Sequence, residues 1–212
     1  MSDDDRRRGG AGSSSGPGGD REARDGRAER SSRGGRPDRA AGHDRAARRD
    51  HGPVELYLVR HAHAGDPATW PGPDEARPLS QKGERQAGGL AAFLARASVR
   101  PAVLVTSPRL RAVQTAGPIG AALGIPVRSE PLLGSGADLT DLEQILAGAG
   151  DPPSALLVGH DPDFSDIAAE LTGAASLPLP KGSLVRIDAE RPLVPGSGVL
   201  RWLLPPDLLA QA

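Results

Sequence analysis

The chain of 212 residues contains no cysteine and no long apolar run. Without cysteine it cannot hold a disulfide framework, a thiolate zinc site or a cysteine nucleophile, and this composition fits a reducing cytoplasm. No apolar stretch approaches the roughly 20 residues that cross a bilayer, and the N-terminus lacks the hydrophobic segment of a secretory signal. A formal net charge of -1 gives no overall attraction to nucleic acid or to an anionic membrane. We therefore expect a cytoplasmic protein with no membrane partner.

Large apolar residues are also missing from the first quarter of the chain. Residues 1–52 contain no Val, Ile, Leu, Phe, Tyr or Trp, and they carry 13 Arg against 10 acidic residues. Such a segment cannot bury enough apolar surface to offset the entropy lost on folding. This composition predicts a disordered tail over residues 1–52 and one folded domain over residues 53–212. We expect no nucleic-acid partner except through the arginines of this tail, whose alternative role is that of a solvated, charge-balanced segment.

Apolar strands alternate with amphipathic helices after residue 53. Strand-like runs cover residues 54–59, 102–107 and 154–160, and weaker candidates are SLVRID and VLRWLL near the end. Helical patterns cover residues 80–97, 108–123, 138–149 and 161–173, with Ser80 and Asp161 as N-caps and a kink expected at Pro118. Strands that are apolar throughout imply a mostly parallel central sheet covered by helices on both faces, which is a three-layer α/β/α sandwich.

Polar residues of similar character follow three of these strands. Arg60 and His61 end the first strand, Ser107 ends the second, and His160 ends a later one. Ligands of open parallel sheets bind outside the carboxyl ends of the strands. We therefore expect these side chains to surround one crevice, together with Arg111 from the helix that follows the second strand.

Cations, imidazoles and helix N-termini around one crevice suit a phosphoryl group, because Arg forks match phosphate oxygens and helix N-termini add partial positive charge. An unprotonated imidazole can attack phosphorus, while arginines and a second histidine stabilise charge on the equatorial oxygens. Carboxylates are absent from these strand ends, which argues against a hard-cation site. A zinc site formed by His61, His63 and His160 is the alternative, but the neighbouring arginines would repel the metal. We expect phosphoryl chemistry without a metal or cofactor.

The three motifs, in this order, resemble those of the histidine phosphatase superfamily, also called phosphoglycerate mutase-like. Its Arg-His-Ala motif, its Ser-x-x-x-Arg-Ala-x-x-Thr motif and its Gly-His motif are matched by Arg60–Ala62, Ser107–Thr115 and Gly159–His160. The resemblance implies that His61 carries the phosphoenzyme and that Arg60, Arg111 and His160 form the phosphate pocket, with Ser107 as a further substrate-binding residue. Arg109 lies outside the motif's arginine position and is assigned to the rim. His63 is also assigned to the rim, with a proton-donor role as the alternative.

The short segment over residues 117–144, with RPLSQKGERQA and PKGSLVRID, resembles the small SixA-type phosphohistidine phosphatases. Longer members of the superfamily carry an inserted region and a glutamate general acid. The candidates for that acid here are Glu130 and Asp138, and neither has the usual glutamate context.

The leaving group decides how much a general acid matters. An alkoxide, with a pKa of about 15.7, needs a proton as it departs, and losing a general acid costs about 10²–10⁴-fold. An imidazole, with a pKa near 6.5, leaves with far less help. The sequence therefore favours phosphohistidine in a phosphorylated protein as the substrate. A small phosphate ester, such as a sugar or nucleotide phosphate, is the alternative substrate, and a non-catalytic phosphate-binding adaptor is the alternative to an enzyme.

Overall fold

The computed structural model describes residues 52–209, so the predicted tail over residues 1–52 lies outside it except for Gly52. The strands are β1 (Val54–Arg60), β2 (Val103–Thr106), β3 (Val127–Ser129), β4 (Ser154–Gly159), β5 (Leu184–Ala189) and β6 (Gly198–Leu204). The helices are α1 (Gln81–Arg96), α2 (Leu110–Leu123), α3 (Leu139–Gly148), α4 (Asp163–Thr172) and the short α5 (Pro206–Leu209). Short 3₁₀ turns cover Pro67–Thr69, Asp74–Ala76 and Pro131–Leu133.

The six strands form one sheet in the order β3-β2-β4-β1-β5-β6. Strands β3, β2, β4 and β1 are mutually parallel, whereas β5 runs antiparallel to β1 and β6 runs antiparallel to β5. The predicted mostly parallel sheet is confirmed. Four parallel strands end at one edge of the sheet, and the antiparallel β5 begins at that same edge.

Apolar side chains of the central strands alternate between the two faces of the sheet, as the period of a strand requires. Leu56 and Leu58 of β1 belong to a core that includes residues of α3 and α4. Tyr57 and Val59 of the same strand belong to a second core that includes residues of α1 and α2. Helices therefore cover both faces, which confirms the three-layer α/β/α sandwich.

The predicted N-cap of α1 is confirmed, and the structure shows a second cap at α3. The Ser80 hydroxyl oxygen accepts a hydrogen bond from the Gly83 backbone N–H, so Ser80 is the N-cap of α1. Asp138 caps α3 in a reciprocal capping box with Asp141. Helix α2 continues through Pro118 as a single element.

The prediction that Asp161 is the N-cap of the next helix is wrong. Helix α4 begins at Asp163, with Pro162 in the N-cap position. The Asp161 carboxylate instead accepts a hydrogen bond from the Ser165 hydroxyl and lies 3.4 Å from the Arg60 guanidinium. The Arg60 guanidinium of β1 thus binds a carboxylate that the local sequence assigns to the start of α4.

In the part of the chain that the structure describes, no helix has both the length and the apolar character that a bilayer crossing requires.

Candidate active site

The ends of three parallel strands bring the predicted site residues together. Arg60 is paired with Gly159 across β1 and β4, and Thr106 is paired with Val158 across β2 and β4. The ladder extends one residue further on both sides, because His61 N–H donates to the Gly159 carbonyl at 2.9 Å and Ser107 N–H donates to the Val158 carbonyl at 2.9 Å. His61, Ser107 and the residue after Gly159 therefore lie side by side at the carboxyl edge of the sheet.

His61 is buried and its two ring nitrogens have different partners. Arg111 Nε, which can only donate, lies 3.2 Å from His61 Nε2. Nε2 must therefore be the acceptor, and the ring proton lies on Nδ1, which donates to the Ala62 carbonyl at 2.7 Å. This tautomer directs the nitrogen lone pair of Nε2 toward Arg111 and holds the ring by its other nitrogen.

The pKa of His61 is lowered to about 3, mainly because burial disfavours the charged ring. The Ala62 carbonyl opposes this shift, while His160, Arg111 and Arg60 add to it. At neutral pH the imidazole is therefore unprotonated at Nε2. A neutral imidazole with a directed lone pair is the form that can attack an electrophile.

The second histidine of the pair lies beside the first. The ring centroids of His61 and His160 are 5.1 Å apart and their planes are tilted by 57°. His160 Nε2 lies 2.7 Å from Ser107 Oγ, and Ser107 Oγ also accepts a hydrogen bond from the Arg109 N–H at 3.2 Å. The pKa of His160 is lowered to about 3, first by burial and then by Arg111 and Arg109. Its other ring nitrogen, Nδ1, is buried without a partner among the described residues.

The two predicted pocket arginines flank these histidines. Arg111 is only 4% exposed, and its Nη1 and Nη2 contact Asp74. Arg60 donates from Nη1 to the Leu179 carbonyl at 2.5 Å, and its Nε is buried without a partner among the described residues. Burial of an unpaired donor is costly, so such donors in a crevice are candidates for binding a ligand.

A threonine of α2 and a glycine of α1 both pack against the segment after His61. The Thr115 hydroxyl accepts a hydrogen bond from the Ala62 N–H at 3.1 Å and donates to the Arg111 carbonyl at 2.7 Å. Gly83 of α1 packs so closely on the segment after His61 that a Cβ atom there would overlap the His63 carbonyl. The local packing around His61 thus depends on a threonine from α2 and a glycine from α1.

Sequence reasoning missed a loop that supplies further charged groups. The Asp74 carboxylate contacts Arg77, Arg109 and Arg111, and Arg77 is itself buried, with Nη1 donating to the Ala64 carbonyl at 2.8 Å. Partial burial raises the pKa of Asp74, but hydrogen bonds and charges of Arg77 and Arg111 outweigh it and lower the pKa below its usual value. The only signal in the sequence is the Asp-x-x-Arg spacing before α1, which does not indicate a partner in α2.

A second missed residue lies in the turn before β5. Gly182 N–H lies 3.1 Å from both the Arg60 and the His61 carbonyls, which places Lys181 beside the site. The pKa of Lys181 is lowered by partial burial and then by the charges of Arg60, Arg77 and Arg111. The segment PKGSLVRID contains this residue, but nothing in its pattern indicates a position at the carboxyl edge.

The other residues proposed from the sequence, the candidate acids Glu130 and Asp138 and the rim residue His63, each make polar contacts. The Glu130 carboxylate accepts from the Leu132 N–H and pairs with Arg128, and the Asp138 carboxylate accepts from the Asp141 N–H. His63 Nδ1 lies 2.7 Å from the Ser80 hydroxyl oxygen. No cluster of three or more His, Cys, Asp or Glu side chains suited to a metal ion occurs among residues 52–209.

Comparison with known proteins agrees with the motifs. Residues 56–135 match the model of the histidine phosphatase superfamily (branch 1). No curated protein matches the chain. A solved structure of the protein histidine phosphatase SixA complexed with tungstate is 24% identical, with a TM-score of 0.64, and the match covers 74% of this chain and 99% of that chain.

Two small-molecule phosphatases are also similar in structure. The α-ribazole phosphatase from Shigella flexneri is 17% identical, with a TM-score of 0.55, and the match covers 72% of this chain and 97% of that chain. A mycobacterial glucosyl-3-phosphoglycerate phosphatase is 16% identical, with a TM-score of 0.54, and the match covers 70% of this chain and 97% of that chain. The resemblance predicted from the three motifs is confirmed: this chain has the histidine phosphatase fold, and SixA-type phosphohistidine phosphatases are among its structural neighbours.

Proposed function

We propose that the protein is a metal-independent phosphatase that acts through a phosphohistidine intermediate on His61. The observation that carries this proposal is the Nε2 atom of His61, which is unprotonated and lies 3.2 Å from Arg111 Nε. Nucleophile and cation are thus adjacent before any substrate arrives. The superfamily match of residues 56–135 supports the same reaction class.

Two displacements complete the reaction. In the first, the Nε2 lone pair of His61 forms a bond to phosphorus, and the bond from phosphorus to the leaving group breaks with its electron pair going to the leaving atom. In the second, a water oxygen attacks the phosphoryl group and loses a proton to solvent. The bond between phosphorus and Nε2 then breaks, which returns the lone pair to His61 and releases inorganic phosphate.

The other predicted residues bind and stabilise the phosphoryl group. Among residues 52–209, three buried side-chain polar atoms have no partner: Arg60 Nε, His160 Nδ1 and Ser183 Oγ. The first two belong to predicted pocket residues, so their hydrogens are available to phosphoryl oxygens. We assign the Ser107 hydroxyl as donor to His160 Nε2, which places the ring proton of His160 on Nδ1. With Arg111, this arrangement presents three donors in a crevice where charge develops in the transition state.

The favoured substrate is phosphohistidine in a protein. The Asp74 carboxylate lies at Arg111 but is held ionised by its arginine partners, so it has no proton to give to an alkoxide. A phosphohistidine ring that carries a proton on its other nitrogen departs as neutral imidazole, so it takes no proton from Asp74. The connection between α2 and α3 contains only β3 and one 3₁₀ turn, which suits access by a large substrate. The SixA neighbour acts on protein histidine according to its name.

A small phosphate monoester is the second candidate. Two structural neighbours are named as phosphatases of small molecules, and their fold is the same. Two carboxylates, Asp74 and Asp161, lie beside pocket arginines, and a bound phosphate dianion would raise the pKa of Asp74 by its negative charge. Glu130 and Asp138, the acids proposed from the sequence, are engaged in caps of other elements.

Phosphate release by the purified protein tests the proposal, with a phosphohistidine peptide and a panel of P–O monoesters assayed in parallel. We expect turnover of the P–N substrate well above the monoesters, and its loss in His61→Ala and Arg111→Ala. A preference for a sugar or nucleotide ester would move the protein to the small-molecule branch. If the wild-type protein binds phosphate but turns over nothing, the enzyme proposal fails and the adaptor alternative gains support.

A further inference from the structure

The two pocket arginines, Arg60 and Arg111, have similar partners on the terminal nitrogens of their guanidinium groups. Arg111 Nη1 donates to the Asp74 backbone carbonyl at 2.7 Å, and its Nη2 donates to Asp74 Oδ2 at 2.9 Å. Arg60 Nη1 donates to the Leu179 carbonyl at 2.5 Å and lies 3.4 Å from Asp161 Oδ2. Each arginine thus has one backbone carbonyl and one aspartate on its distal nitrogens.

These contacts matter because a guanidinium group has two pairs of parallel N–H donors. One pair is at the end, on Nη1 and Nη2, and the other is at the side, on Nε and Nη2. Asp74 occupies the end pair of Arg111 with two of its own oxygens. The side pair therefore faces His61, as the 3.2 Å contact from Arg111 Nε to His61 Nε2 shows.

We propose that Asp74 is a positioning residue that holds the end pair of Arg111 and so directs its side pair at the phosphoryl group transferred to His61. The proposal rests on the proposed function of His61 and adds a residue that no motif of the sequence identifies. Asp74 acts through Arg111 and does not contact the reacting atoms.

The surroundings of Asp74 suit such a role. Arg77 Nε donates to Asp74 Oδ1 at 2.9 Å, which leaves Oδ2 for Arg111 and, at 3.3 Å, for Arg109. Arg77 is 7% exposed and is held by backbone carbonyls of the loop after His61. The carboxylate is therefore fixed between a buried arginine of its own loop and two arginines at the start of α2. Charge-assisted hydrogen bonds of this kind define direction as well as energy.

Asp74→Ala tests this role, and Glu75→Ala is the matched control because Glu75 is the adjacent exposed carboxylate of the same 3₁₀ turn. We expect Asp74→Ala to lower kcat/KM by about 10²-fold, since displacement of a catalytic group by about 1 Å costs that much. Inorganic phosphate, measured by calorimetry, should bind about tenfold more weakly because one charge-assisted contact is misdirected. Glu75→Ala should match the wild type in both measurements. Asp74→Asn, which retains the side-chain shape and one acceptor oxygen, should lie between the wild type and Asp74→Ala.

A double-mutant cycle with Arg111→Ala separates positioning from other roles. If Asp74 acts through Arg111, adding Asp74→Ala to Arg111→Ala produces no further loss of phosphate affinity or of kcat/KM. Additive losses would overturn the proposal. The proposal would also be overturned if Asp74→Ala lowered the turnover of alkyl monoesters but left the turnover of phosphohistidine unchanged. A proton donor would give that pattern. A residue that orients Arg111 toward the phosphoryl oxygens should affect all substrates, because all of them contain these oxygens.

The binding measurement keeps this test independent of the proposed function. A wild-type protein that turns over no substrate but binds phosphate would defeat the phosphatase proposal alone. In that protein, unchanged phosphate affinity in both Asp74→Ala and Asp74→Asn would overturn the positioning role. Thermal unfolding of each variant shows whether it is folded, and Asp74→Asn provides the result if Asp74→Ala is not.

Discussion

The parallel and antiparallel parts of the sheet contribute to the candidate site in opposite ways. Strands β1, β2 and β4 contribute residues that follow their carboxyl ends: His61, Ser107 and His160. Strand β5 runs the other way beside β1, so the turn before its amino end reaches the same edge. Lys181 therefore joins a site that is otherwise built from strand ends.

This difference explains which residues could be found from the sequence. The rule that ligands bind at the carboxyl ends of parallel strands identifies His61, Ser107 and His160, which directly follow such strands. The same rule says nothing about the turn that precedes an antiparallel strand. Backbone hydrogen bonds hold that turn against β1, because Arg60 N–H donates to the Ser183 carbonyl at 3.2 Å.

The largest expected effect lies in the parallel part. His61→Asn keeps an amide oxygen that can accept from Arg111 but removes the nucleophilic nitrogen. We expect turnover of the phosphohistidine peptide to fall by about 10³-fold or more, because the covalent route is lost. Initial rates of phosphate release measure this, with thermal unfolding as the control for folding. Turnover within tenfold of the wild type would exclude His61 as the nucleophile.

An intermediate effect should appear in the pH dependence of stability, and it also belongs to the parallel part. Burial lowers the pKa of His61 and of His160 to about 3, whereas an unfolded histidine titrates near 6.5. Between these values the unfolded chain binds more protons, so the free energy of unfolding falls as pH decreases from 6.5 and is unaffected by these groups above it. Each histidine should account for about 2 kcal/mol between pH 7 and pH 5.

Denaturant unfolding at several pH values measures this loss. His61→Asn should flatten the dependence by about half of the histidine contribution, since one of the two titrating rings is removed. Strands β5 and β6 contain no histidine, so variants in these strands should leave the pH dependence of the free energy of unfolding unchanged. An identical slope in His61→Asn and the wild type would show that His61 is not buried in its neutral form.

The smallest expected effect lies in the turn before β5. Lys181→Gln should raise KM for the substrate by about threefold to tenfold with kcat nearly unchanged, because a lysine near the site attracts the phosphate dianion. The effect should shrink as salt is added, since screening weakens the attraction. Kinetics at two ionic strengths test this, with Arg85→Gln on the exposed face of α1 as the control. A fall in kcat as large as that of Arg111→Ala would instead place Lys181 at the phosphoryl group.

Much of the fold could be predicted because its causes are local. Alternating apolar strands and amphipathic helices indicate the layers, and Ser80 occupies the predicted cap position of α1. Asp161 does not cap α4 as the local sequence predicts, because its carboxylate pairs with the Arg60 guanidinium and accepts a hydrogen bond from the Ser165 hydroxyl. That competition involves a residue a hundred positions earlier in the chain, which no local pattern contains.

The α/β layers, the three motifs and their order along the strands follow from the sequence, because hydrophobic periodicity and the identity of residues after each strand are properties of short segments. The tautomer of His61, the orientation of Arg111 by Asp74 and the position of Lys181 at the site follow from the folded structure. These features arise where the loop after β1, the start of α2 and the turn before β5 meet. A hydrogen bond forms only when donor and acceptor are brought within about 3 Å, and folding alone brings distant segments that close.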